Sequence, residues 1–307
     1  MLALLAVATG FGQVLKRQTN SGLNPDVVRL FHMRLRTWWL MCSVLAATFL
    51  VGRIATVIMF GGISFWALRE FITLTPTRPG DHRGLFWVFF IFTPLQYLLV
   101  AMETDARETY HLYSVVIPVY GFLFVPARAA FAGDYKRFLE RAAKIQSGLM
   151  VTVYCLSYAP ALLSLKIADP DFQDQNPRLL FFMVLVVQVS EVLQYVWDKL
   201  LGKRVIAPSI NPDKTWEGFL GGVCSGTLLG TALYWATPFE PWEAAGMSLL
   251  ITLSGFAGGM TLSAIKRDRG VRDYGTLVTG HGGVLDRIDS LCFAAPVFYH
   301  AVRGFYT

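Results

Sequence analysis

Chemistry is densest between Ser263 and Asp289, in the run SAIKRDRGVRDYGTLVTGHGGVLDRID. Four acids (Asp268, Asp273, Asp286, Asp289) stand among five bases (Lys266, Arg267, Arg269, Arg272, Arg287). Asp286 and Asp289 are three residues apart, so on a helix they share a face. Two carboxylates beside cations suit a hard divalent ion such as Mg²⁺. The neighbouring Lys and Arg suit the phosphate groups that such an ion bridges. Gly280–His281–Gly282–Gly283 lets backbone come close to a ligand, because glycine has no Cβ. An ordinary basic loop ahead of a helix with an N-terminal acid accounts for the arginines and for Asp286. It leaves His-Gly-Gly and the second carboxylate unexplained.

Two further features carry polar groups into apolar surroundings. The run NPDKTWEGFLGG, residues 211–222, turns at Pro212 and Asp213 and then opens a helix with Lys214, Trp216 and Glu217. Lys214 suits a phosphate, and Glu217 suits that lysine, a metal or a ribose hydroxyl. Gly218, Gly221 and Gly222 permit close approach of a helix or a ligand. The competing reading is a snorkelling lysine and an interfacial tryptophan. Glu191, with Gln188, Ser190 and Gln194, lies within an apolar span. An ionisable residue there is a functional candidate by default, and an interhelical hydrogen bond is its structural alternative.

The elements that hold these groups must be membrane helices. Of the 307 residues, 54% are hydrophobic and 16% are charged, with a mean hydropathy of +0.47. A soluble domain carries about a quarter charged residues, so lipid must solvate much of this surface. The net charge of +6 falls between apolar segments, which points to membrane orientation and away from nucleic acid. Cys42, Cys155, Cys224 and Cys292 each sit in an apolar stretch without metal-type spacing and read as small core residues.

Ten stretches are long enough to be candidates for crossing the bilayer: 1–15, 37–52, 54–72, 85–102, 111–128, 145–165, 179–200, 215–236, 243–263 and 287–303. The expected fold is an all-α, polytopic bundle of about ten membrane helices (nine to ten), with the N-terminus outside. The first stretch has no basic leader and no clear cleavage site, and is read as a helix. Arg53 makes the second and third a tight hairpin. In this topology all but five of the 27 basic residues fall on the inside. The outside loops are acidic, with Glu103, Asp105, Glu108, Asp169, Asp171, Asp174, Glu240 and Glu243. Residues 128–144 read as a basic interfacial helix against lipid headgroups, with Tyr135, Phe138 and Leu139 opposing Lys136, Arg137 and Arg141. The expected division is 1–144, N-terminal helices with that basic segment, and 145–307, a catalytic membrane domain.

At these residues the chain resembles the phosphatidate cytidylyltransferases (CDP-diacylglycerol synthases). Their signature is Ser-x-aliphatic-Lys-Arg, four residues, Lys-Asp, then His-Gly-Gly-aliphatic-x-Asp-Arg-x-Asp. Ten of its eleven fixed positions are present, as Ser263, Lys266, Arg267, Asp273, His281, Gly282, Gly283, Asp286, Arg287 and Asp289, and Arg272 replaces the lysine. Lys-Thr-Trp-Glu-Gly at 214–218 resembles a second conserved segment, and Gln194, Tyr195, Lys199, Gly202 and Lys203 resemble its approach. The likeness is specific over about 190–290. Two positions depart from it: Glu191 and Gly259 stand where the family usually carries aspartate.

The resemblance implies transfer of cytidylyl from CTP to phosphatidate, giving CDP-diacylglycerol and pyrophosphate. It implies Mg²⁺ held by Asp286, Asp289 and Glu191, with a monovalent cation as a further candidate. Asp273, Lys266, Arg267, His281 and Arg287 would serve catalysis. Lys214, Glu217, Lys203, Ser263, Gly282 and Gly283 would bind substrate. The expected setting is an integral membrane enzyme among membrane lipids, its site facing the cytoplasm (the inner membrane in a bacterium), with a homodimer as a candidate assembly. The competing readings are a CTP-dependent transferase or kinase acting on an isoprenoid alcohol or another lipid phosphate, a transporter, and an inactive relative. No repeat between the halves supports the transporter.

Overall fold

The computed structural model describes residues 43–44, 47–48, 51–74, 77–102, 108–172, 175–275 and 282–307. Among these residues the main elements are α1 (Arg53–Thr73), α2 (Pro79–Met102), α3 (Tyr110–Ala130), α4 (Phe138–Ser164), α5 (Asn176–Leu201), α6 (Trp216–Ala232), α7 (Pro241–Asp268) and α8 (Leu285–Tyr306). All but α6 and α8 are long and apolar enough to cross a membrane. The protein is an all-α polytopic membrane protein. The eight expected spans from 54 onward each correspond to one of these helices. The candidates at 1–15 and 37–52 lie outside the described residues, apart from a few positions of the second.

Local chemistry sets the helix starts. Pro79, Pro177 and Pro241 occupy first turns, where a missing N–H costs nothing. Asp81 accepts the Arg78 N–H at 3.0 Å, and Glu243 accepts the Glu240 N–H at 3.0 Å, each reaching back one turn. Thr215 caps α6 by accepting the Gly218 N–H at 3.1 Å. Between α5 and α6 the sequence suggested only a turn, yet the chain forms an antiparallel hairpin of β1 (Val205–Ala207) and β2 (Asn211–Thr215).

The C-terminal helices pack through a glycine face on α6. A Cβ at Gly218 would lie 1.8 Å from Asp198 Oδ1, and one at Gly222 would lie 2.0 Å from Gln194 Cγ. At Gly226 it would meet Thr252 and Ser190, and at Gly230 it would lie 1.8 Å from Ser248 Oγ. The four-residue spacing keeps these glycines on one side, so α5 and α7 both seat against bare backbone. Close helix approach, one of the two uses expected of Gly218 and Gly222, is the one the fold makes of them.

Side-chain contacts sort the loops into two ends, as alternating membrane helices require. At one end, Arg53 donates to the Val100 and Ala101 carbonyls at 3.0 and 2.9 Å, tying α1 to the end of α2. At the other, Arg78 meets Asp134 at 3.2 Å. Arg269, just past α7, meets Glu140 of α4 at 3.8 Å. Arg267 donates to the Ile210 carbonyl of the hairpin turn at 3.0 Å.

The basic segment 128–144 is not a separate interfacial helix. From Phe138 it forms the first turns of α4. Tyr135 and Leu139 are exposed as expected, but Arg141 is buried. It donates to Asp81 at 3.1 Å, lies 3.0 Å from Asp134, and donates to the Lys136 and Asp134 carbonyls at 2.6 and 2.8 Å. The Asp81 side chain is 1% exposed. Arg141→Met would therefore strand a buried carboxylate, at a cost of about 3–5 kcal/mol. Thermal unfolding in detergent should show that loss, and the double variant Arg141→Met/Asp81→Leu should recover most of it. An unchanged midpoint in the single variant would refute the structural role.

Candidate active site at the shared end of the helices

The site begins where α5 ends. Ser190, Gln194 and Asp198 recur every four residues on one helical face. Asp198 accepts both the backbone N–H and the hydroxyl of Thr215, at 2.9 and 2.7 Å. It thereby locks the hairpin exit and the α6 cap onto α5. Lys214, held between them, donates to Gln194 Oε1 at 3.2 Å and lies 3.7 Å from Asp198 Oδ2. Glu217 does not reach that lysine. Its Oε2 accepts the N–H groups of Lys203 and Arg204, both at 3.1 Å, and pins the hairpin entry. Lys203 itself is exposed. Asp198 was not among the expected site residues. Its four-residue spacing from Gln194 was the available signal.

The second part joins α7 to α8. Lys266 pairs with Asp286 Oδ1 at 2.8 Å and lies over the Tyr274 ring, 5.4 Å from its centroid. Asp286 Oδ2 accepts the N–H groups of Tyr274 at 2.8 Å and Gly283 at 2.9 Å. One carboxylate thus ties both ends of the intervening loop to the end of α7. Tyr274 is stacked on Phe71 and donates to the Leu262 carbonyl at 2.9 Å. Burial, reinforced by the Asp286 and Asp289 charges, pushes its phenol pKa upward, so it stays a neutral donor.

The two glycines of the signature serve this loop closure. Gly282 has φ +83°, a left-handed conformation that favours glycine. A Cβ at Gly283 would lie 2.4 Å from Glu70 Oε2. The close approach expected at this glycine is therefore to a carboxylate of α1. Asp273 is exposed beside Gly282, Ser263 is half-buried, and Arg267 holds the hairpin turn. His281 lies outside the described residues.

At the centre, α5 meets α8. The Ser290 hydroxyl is hydrogen-bonded to the Glu191 carboxylate, whose charge feels those of Asp289, Lys214 and Arg287. Asp289 accepts the Ser290 N–H through Oδ1 at 2.8 Å and has Lys266 and Arg287 nearby. Gly259 faces the same spot: a Cβ there would lie 3.3 Å from Ser290 Oγ and 3.9 Å from Asp289 Oδ2. Gly258 differs, since its Cβ would lie 2.8 Å from the Asp289 carbonyl, so it serves packing.

Among the described residues, no three His, Cys, Asp or Glu side chains gather as a metal-binding group. Asp286, expected beside Asp289 at a metal, is turned toward Lys266 and two backbone N–H groups. Glu191 and Asp289 remain as two carboxylates that feel one another's charge. Such a pair fits Mg²⁺, which takes one or two protein carboxylates and completes its shell with substrate phosphate and water.

A model of the Cytidylyltransferase family matches residues 32–305. The chain belongs to the cytidylyltransferase family. Among its relatives, uncharacterized protein YnbB of Escherichia coli is 36% identical over 99% of this chain and 96% of its own length. A phosphatidate cytidylyltransferase of Synechocystis is 40% identical over 38% of this chain and 40% of that protein. One of Mycobacterium leprae is 35% identical over 48% of this chain and 47% of that protein. The match to these phosphatidate cytidylyltransferases thus spans less than half of their length. Family membership makes cytidylyl transfer the reaction class of this chain.

Proposed function

We propose that this protein transfers the cytidylyl group of CTP to phosphatidate, forming CDP-diacylglycerol and pyrophosphate. The observation that supports the reading is the set of interacting charges at one end of the membrane helices, Glu191 with Asp289, Lys214 and Arg287, and Asp289 with Lys266 and Arg287. An oxygen of the lipid phosphate attacks the α-phosphorus of CTP. The new P–O bond forms as the α–β bridging P–O bond breaks, and the bonding pair leaves with pyrophosphate. The acceptor oxygen enters ionised, so no side chain has to serve as nucleophile, and positioning and charge compensation do the work.

Glu191 and Asp289 would hold Mg²⁺, which, when bound, supplies Lewis-acid charge compensation at the phosphates. Lys214, Lys266 and Arg287 offset the negative charge of triphosphate and lipid phosphate as it converges. Asp286 aims Lys266 and holds Tyr274 and Gly283. Sitting at helix ends, the site takes a water-soluble nucleotide from one side while the acceptor's acyl chains stay in lipid. We read that side as the cytoplasm, where CTP is made.

The test is incubation of the purified full-length protein in detergent with α-labelled CTP, phosphatidate and Mg²⁺. Lipid-dependent CDP-diacylglycerol and pyrophosphate, abolished by EDTA, are the expected result. Product with another lipid phosphate and none with phosphatidate would replace the acceptor. Release of CDP and a phosphorylated alcohol would replace the reaction.

A further inference from the structure

α8 carries Asp286, Arg287 and Asp289, yet its own sequence provides no N-cap. The cap position is Val284, whose side chain cannot accept a hydrogen bond. The acceptor comes from 214 residues away: Glu70 of α1 takes the Val284 N–H at 3.0 Å through Oε1 and the Leu285 N–H at 2.8 Å through Oε2. Glu70 is 4% exposed.

Three observations say that this contact is built. First, Glu70 lies in the last turn of α1, where the dipole of its own helix disfavours a negative charge. The partner that favours it is the N-terminus of α8. Second, two glycines make room for it. A Cβ at Gly275 would lie 2.7 Å from Oε1, and one at Gly283 would lie 2.4 Å from Oε2. Third, the contact sits at the base of the loop closed by Asp286, beside Tyr274, which stacks on Phe71, the residue after Glu70. Glu70 also takes up the first N–H groups of α8, so these two are not open to nucleotide phosphates.

We propose that Glu70 is a positioning residue: as the remote cap of α8, it sets where Asp289 and Arg287 stand relative to Glu191 and Lys214. This rests on the cytidylyltransferase reading of the site, and it makes the nucleotide site depend on a helix of the N-terminal half.

The test uses the full chain in detergent with Glu70→Gln, Glu70→Ala and Glu70→Asp, and Ser64→Ala as a packing control on the same helix. Two quantities are measured: hydrogen exchange of peptides covering 282–290, and affinity for Mn²⁺–CTP without lipid. In Gln and Ala, exchange at the start of α8 should rise at least tenfold and nucleotide affinity should fall at least tenfold. Asp, which keeps the charge, should lie between them and the native protein, and Ser64→Ala should change neither. Unchanged exchange in Gln and Ala, or faster exchange with unchanged affinity, would overturn the inference. So would an equal loss of affinity in Ser64→Ala. Glu70-dependent Mn²⁺–CTP binding without CDP-diacylglycerol formation would overturn the acceptor assignment and leave this inference standing. Native protein that does not bind Mn²⁺–CTP would overturn both.

Discussion

Glu191→Gln and Asp289→Asn each lower CDP-diacylglycerol formation by about a thousandfold in the expected result, because each removes one of the two carboxylates proposed to hold Mg²⁺. Metal-based charge stabilisation is worth several kcal/mol, and each 1.4 kcal/mol is tenfold in rate. Both variants should keep the native melting temperature to within a few degrees, since the amide oxygen that replaces the Glu191 carboxylate can still accept from the Ser290 hydroxyl, and that replacing the Asp289 carboxylate from the Ser290 N–H. Gly259 gives this prediction a second arm. A side chain at 259 fits once Ser290 Oγ, 3.3 Å from its Cβ, gives by a few tenths of an ångström, and its Cβ would lie 3.9 Å from Asp289 Oδ2. Gly259→Asp in the Glu191→Gln background should therefore return part of the lost activity, by bringing a carboxylate to the same place from α7. The measurement is turnover with labelled CTP across the Mg²⁺ range. Near-native turnover in both single variants would sink the carboxylate-pair assignment. Failure of the double variant to exceed Glu191→Gln would show that the two positions do not serve one spot.

Lys266→Met has the next largest effect, and it acts on stability as well as rate. Lys266 and Asp286 are both largely buried, with side chains 15% and 6% exposed. Removing the lysine leaves the buried Asp286 carboxyl held, among the described residues, by the Tyr274 and Gly283 N–H groups. Breaking a buried pair in this way costs about 3–5 kcal/mol. Unfolding in detergent should move to lower temperature, and activity should vanish, since a cation facing Asp289 goes with it. Lys266→Met/Asp286→Asn should recover much of the stability and none of the activity, which separates the two roles. A single variant with the native melting temperature would mean that the ion pair does not support the loop.

The two carboxylates of the Asp-Arg-x-Asp run show what spacing can and cannot say. A three-residue interval puts Asp286 and Asp289 on one helical face, and α8 does begin at Leu285. The same face still offers two environments. Asp286, one turn nearer the helix start, meets Lys266 and the Tyr274 and Gly283 amides, whereas Asp289 lies beside Gly259 of α7. Glu217 and Lys214 divide in the same manner. Both were legible as polar groups at a helix entry, but the hairpin takes Glu217 for its own backbone and leaves Lys214 aimed toward Gln194 and Asp198. That hairpin was hidden because Pro212 and Asp213 read as a turn, and so few strand residues set no alternation.

By itself the sequence determined that the chain is a helical membrane protein, roughly where eight described helices run, and which segments bring acids, bases and glycines to one end. Those properties follow from the bilayer's demand for long apolar helices and from charge that stays at helix ends, both of which are local in the chain. Only the tertiary structure decided which charges meet. The burial of Arg141 against Asp81, the capping of α8 by Glu70 and the convergence of Glu191 with Asp289 join residues 60, 215 and 98 positions apart. The first two are buried charges that need a partner where water is excluded, and the third brings two like charges together beside shared cations. The chain order of helices leaves that partner open, and packing selects it.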